Sequence, residues 1–199
     1  MICAGRSCAY AVFLSVFICS QTVAAAGKTG KEDKSESASP VNNAAAAFRW
    51  DEHRQLSWDD FRGPISAETD RSAAATHCGI GFRTQTDGMD GKPHVVVYNT
   101  FYTSKSWVRN DARIPSILEH EQGHFDLCEI YTRKLRTRMD KFDFGVPDTR
   151  QALMAIYNEI SQEYENEQHA YEQETTHGTN ITAQKKWREM MMLELGARS

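Results

Sequence analysis

Three observations predict an α+β domain in which a small antiparallel sheet packs on long helices. Two stretches, Ala73 to Thr86 and Pro93 to Thr103, carry alternating or β-branched and aromatic residues, as strands do. Two longer stretches, starting near 115 and 149, repeat apolar residues at intervals of three and four, the helical spacing. The first of these also puts two histidines and a glutamate on its inner side, where burial penalises polar groups that lack a partner.

The chain opens on a different kind of segment. Arg6 precedes an apolar run from Ala9 to Cys19, and Val23-Ala24-Ala25-Ala26 offers small residues for cleavage, the pattern of a secretory leader over residues 1–26. Its apolar core is short for a membrane span, so no stable span is expected once it is removed. Losing Arg6 moves the formal charge from −4 to −5 and leaves Cys78 and Cys128 of the five cysteines. In an oxidising compartment these two can pair; alternatively, Cys128, one turn after His124, is a small apolar filler. The expected location is periplasmic or secreted. An acidic balance with scattered basic residues argues against nucleic acid as a partner, and nothing in the pattern fixes the oligomeric state.

Residues 27–47 mix Lys, Glu, Ser, Asn and Ala with almost nothing bulky, so they read as a disordered linker. The folded domain is expected over 48–199. Leu56-Ser57-Trp58 and Phe61 anchor its edge before Gly63-Pro64 turns the chain. The two strands that follow form an antiparallel hairpin across the turn-rich 86–93. His53 reads as a surface residue, and His77 and His94 as strand or loop histidines. A helix runs from about 115 to 138, with Pro115 suited to its first turn. Its stripe is Ile114, Ile117, Leu118, Phe125, Cys128, Tyr131 and Leu135. Gly145 and Pro147 close that element. A second helix starts at Thr149 with Leu153, Tyr157, Ile160, Tyr164 and Tyr171 as its core-facing stripe, and Gly178 suits its C-terminal end. A last helix covers about 182–195, where Met190-Met191-Met192 reads as packing.

The chemistry lies in His120-Glu121-Gln122-Gly123-His124. Residues four apart share a helix face, so both imidazoles reach one metal ion, while Glu121 stands beside it as a general base and not as a ligand. That is the arrangement of a catalytic Zn²⁺ helix, and the architecture it implies is zincin-like. A catalytic zinc takes three protein ligands. Leu127 and Ile130 stand where a metzincin needs Gly and His, so the third must come from elsewhere. The polar end of the second long helix offers Glu174, in the arc of its stripe, or His177, beside Gly178.

Three blocks together resemble a bacterial secreted family catalogued as a domain of unknown function and tagged as a zinc-dependent protease. They are Leu56-Ser57-Trp58 with Phe61 and Gly63, then Leu118 through Asp126, then Tyr171-Glu172 with Thr175, His177 and Gly178. The likeness covers about 48 to 190. It implies His120, His124 and His177 as the metal ligands and Glu121 as the catalytic base. Glu172 stands where that family usually has Asp, in a supporting role.

The expected reaction is peptide-bond hydrolysis, with a peptide or protein as substrate and an edge strand, Val95 to Thr103, receiving it in extended form. Tyr171 and His169 are the nearby candidates for stabilising the oxyanion. The rival expectation is a non-catalytic periplasmic binding or scaffold module around a structural zinc, whose fourth position a protein ligand would close.

Overall fold

The computed structural model describes residues 11–17 (backbone only), 46–65, 72–86 and 91–196. The strands are β1 Ala11–Phe17, β2 Ala47–Phe48, β3 Ala74–Ala75, β4 His77–Thr86, β5 Pro93–Tyr102 and β6 Trp107–Val108. The helices are α1 Pro115–Met139, α2 Thr149–Thr175 and α3 Ile181–Leu195. Mixed α and β structure, with small antiparallel sheets and three helices, is therefore what forms. None of the described helices is long and apolar enough to cross a membrane.

The expected hairpin is present. β4 and β5 pair antiparallel from Cys78 opposite Phe101 to Thr86 opposite Pro93. Directly opposed residues share a sheet face, so Cys78 and Phe101, Ile80 and Asn99, Phe82 and Val97 form the buried face against the helices. Within that layer Asn99 donates to Glu129 of α1, and the Tyr157 hydroxyl of α2 donates to the Ile80 carbonyl at 3.1 Å. The sheet order is β1-β4-β5-β2, with β3 and β6 as a separate pair. Of the expected edge strand Val95 to Thr103, only Phe101 and Tyr102 have a second strand beside them, paired with Phe48 and Ala47 of β2; among the described strands the β-branched run 95–97 has β4 alone as its neighbour.

The leader and linker expectations fall mostly outside the described residues. The exceptions are β1, which adds to β4, and Ala46, whose carbonyl accepts from the Thr103 amide and hydroxyl. Ala46 and Ala47, read from sequence as the end of the linker, thus pair with the folded domain. Phe61 is buried and meets Phe101 edge-on at 5.5 Å, as a core anchor should. Ile114, placed on the α1 stripe by its spacing, is instead the exposed N-cap residue.

The helices start and stop where their capping chemistry says. Pro115 opens α1; the Asp148 side chain caps α2 by accepting from Gln151 N; Asn180 caps α3 by accepting from Ala183 N. α2 ends on two left-handed residues, Thr176 (φ 50°) and His177 (φ 54°), before Gly178 (φ 79°). A non-glycine residue there costs on the order of 1 kcal/mol. The reward is a tight reversal that lays Gly178 on His120: a Cβ at 178 would fall 2.9 Å from the His120 Cβ. Cys78 and Cys128 are both buried free thiols in contact with each other, so Cys128 does fill space behind His124.

Candidate metal centre

α1 brings His120 and His124 to one side, one turn apart, and both are fully buried. Their Nε2 atoms approach to 3.1 Å. α2 completes the group with Glu172, whose Oε2 lies 3.4 Å from His120 Nε2 and Oε1 3.4 Å from His124 Nε2. One ligand atom from each of the three residues falls within 4.8 Å of the others, so the group could hold a metal ion.

The partners behind the imidazoles decide which nitrogen carries the proton. Gln168 donates its amide N–H groups to the His124 carbonyl and the Tyr164 hydroxyl, both at 2.9 Å. That orientation turns its oxygen to His124 Nδ1 at 2.7 Å. Gln184 of α3 turns its side-chain oxygen to His120 Nδ1 at 3.2 Å. An amide oxygen only accepts, so both rings carry N–H at Nδ1 and present lone pairs at Nε2. Two lone pairs 3.1 Å apart, facing a carboxylate, repel one another unless a cation or protons lie between them. The donor set of two imidazoles and one carboxylate suits a borderline-soft divalent ion.

Electrostatics agree with this picture. Burial alone would raise the Glu172 pKa; His120 and His124 overcome it and hold the carboxyl well below its ordinary value. Burial likewise opposes the charged form of His124, yet Glu172, with a contribution from Glu121, raises its pKa. Glu121 is fully buried beside His120 in sequence and is not a member of the group. Thr76 anchors that turn of α1 by donating its hydroxyl to the Glu121 carbonyl at 3.3 Å.

His177 touches the group through Glu172, with Nδ1 2.7 Å from Glu172 Oε2, and its side chain is 34% exposed. Glu174 points away and accepts from the Trp187 indole N–H at 2.8 Å. Glu172, read from sequence only as a support, therefore shares the buried group, whereas His177 braces it from the rim. Sequence reasoning missed Gln168 and gave Glu172 and Thr175 no place in the group itself. Their signal was present: with Tyr164 and Tyr171 they continue the inward stripe of α2 at intervals of three and four, as polar residues that burial would not tolerate unpaired. Tyr171 stacks on His120 at 4.8 Å and donates to the His120 carbonyl. His169 is exposed and pairs with Gln173. A cavity of about 630 Å³ adjoins this group: Gly123, Tyr171 and Gln184 line it together with Trp50, Asp126 and Met191, whereas His120, His124 and Glu172 do not.

No curated protein and no solved structure matches the chain. One family model, described as a bacterial protein of unknown function, does match, over residues 27–178, and so spans the whole histidine motif and the α2 end. The chain belongs to that family, DUF922.

Proposed function

We propose that the protein is a secreted zinc-dependent hydrolase of peptide bonds. The observation that carries this reading is the pair of Nε2 lone pairs, fixed by Gln168 and Gln184 and turned toward the Glu172 carboxylate. His120, His124 and Glu172 would hold the ion. When bound, zinc supplies Lewis acidity, acidifying a water and polarising a carbonyl. The Glu121 carboxylate would accept a proton from the attacking water and return it to the leaving amine. His177 fixes the outer oxygen of Glu172 through its 2.7 Å bond and so orients the carboxylate. The leader pattern supports export, and the family match opens at residue 27, directly after the expected cleavage point.

The rival, a structural zinc in a non-catalytic module, calls for a fourth protein ligand. Glu174, offered by the sequence as a ligand at the end of α2, is engaged by Trp187 instead and does not close that position, which favours the hydrolase.

Elemental analysis of the purified protein, followed by a peptide-library cleavage assay, tests the proposal. Wild type and Glu121→Gln should each carry about one zinc per chain, and cleavage should fall at least ~100-fold in the variant. A Glu121→Gln protein that cleaves like wild type removes the mechanism. A purified protein without a divalent ion removes the site.

A further inference from the structure

β4 has two neighbours of different origin. β5 follows it from Cys78 to Thr86. On its other side the seven residues of β1 add antiparallel, from Ala11 opposite Arg83 to Phe17 opposite His77. β1 lies inside the segment with the leader pattern, and the family match starts beyond it. A chain that has lost residues 1–26 therefore keeps β4 as an edge, with its outward N–H and C=O groups open to another extended chain.

The position of that edge gives it meaning. Thr76, immediately before β4, bonds the Glu121 carbonyl, and the Cys78 thiol points at the His124 carbonyl at 3.7 Å. An antiparallel strand laid on β4 thus emerges, at its C-terminal end, beside the turn of α1 that carries His120, Glu121 and His124. The opposite side of the sheet offers no such route. There β2 covers β5 at Phe101 and Tyr102, and Phe101 is the residue paired with Cys78.

We infer that the outer edge of β4, residues 77–83, is a strand-addition site for an extended apolar peptide. The uncut N-terminal segment fills it, and loss of that segment hands it to a substrate whose C-terminal end runs toward the metal group. The designation of the occupant as substrate rests on the hydrolase reading; the binding does not.

The test uses the protein recovered from its expressing cells, with its N-terminus read by mass spectrometry, in two non-cleaving forms: Glu121→Gln and metal-depleted wild type. The probe is a synthetic peptide of the Ala11–Phe17 sequence with lysines added at its N-terminal end, beside a copy N-methylated at alternate residues. The expected result is a chain starting near residue 27 that binds the probe saturably. Amide exchange in 77–83 should slow at least ten-fold, and the N-methylated copy should bind at least ten-fold more weakly. Failure to bind, equal binding of the methylated copy, protection elsewhere (at the Met191 cavity, for example), or a chain that still carries Ala11–Phe17 overturns the inference. Peptide cleavage by wild type without protection of β4 would sink this site and leave the hydrolase standing. Protection of β4 with no turnover by wild type would do the reverse.

Discussion

The Tyr171 hydroxyl occupies the place where a side chain on Gly123 would begin: a Cβ there would lie 2.3 Å from the oxygen and 2.7 Å from the ring carbon that bears it. Gly123 is thus the residue of the His-Glu-x-x-His string that lets α2 close on α1. The same ring stacks on His120 and bonds its carbonyl at 3.1 Å.

Gly123→Ala must therefore push Tyr171 off His120. Helix propensity favours the alanine by up to about 1 kcal/mol, but overpacking against a buried ring costs about 1–3 kcal/mol, and the clash is with a fully buried tyrosine. Net destabilisation and a weakened metal affinity are the expected outcome. Urea unfolding and a zinc titration check it, and a variant as stable as wild type would show that the ring has room to move.

Glu172 and His177 separate by their effect on metal. Glu172→Gln removes a charged member of the buried group and should abolish stoichiometric zinc binding. His177→Ala removes only the brace on its outer oxygen, and losses of about 10–100-fold in affinity are usual for such supports. Competition with a chromogenic chelator measures both. Loss of zinc in His177→Ala with retention in Glu172→Gln would make His177 the ligand and Glu172 its support.

Gln168→Leu tests the tautomer argument. The variant loses the acceptor for His124 Nδ1–H and leaves the His124 carbonyl without its amide donor. Zinc affinity should fall about 10–100-fold, while Gln168→Glu, which keeps an acceptor at that point, should retain more of it. Titration calorimetry on the two variants gives the comparison.

The metal-free protein should have a bounded pH optimum of stability. Glu172 has a pKa below its ordinary 4.5, so its contribution is present above 4.5 and is lost as pH falls toward the folded value. His124 has a pKa above its ordinary 6.5, so its contribution is complete below 6.5 and is lost as pH rises through the folded value. The pair together stabilises the apo-protein most between about 4.5 and 6.5. Chemical denaturation of chelator-treated protein across pH 3–9 should show that maximum, and Glu172→Gln should flatten it.

Local pattern made much of this molecule legible. The hairpin, the three helices and the His120–His124 face all follow from spacing within one element, because period and capping are local properties. The partner of that face was harder to see. Glu172 belongs to a stripe that sequence reasoning read by its apolar members alone, so attention went to Glu174, which bonds Trp187, and to His177, which bonds Glu172. Gln184 could not be assigned from spacing, since its meeting with His120 depends on how α3 folds back after the left-handed reversal at Thr176 and His177. How far Val95–Thr103 forms an edge was hidden for a related reason: the pairing of Phe101 and Tyr102 with β2 is set across the whole chain, not within a strand.

The reach of α3 back to His120 has a consequence for how far the family's shared span is self-sufficient. That span stops at residue 178, after all three grouped side chains but before Gln184. A chain ending there would own the right donors yet lack the amide that dictates where the proton on His120 sits. In this protein, then, the C-terminal helix orients His120 of the candidate metal group as well as covering the core.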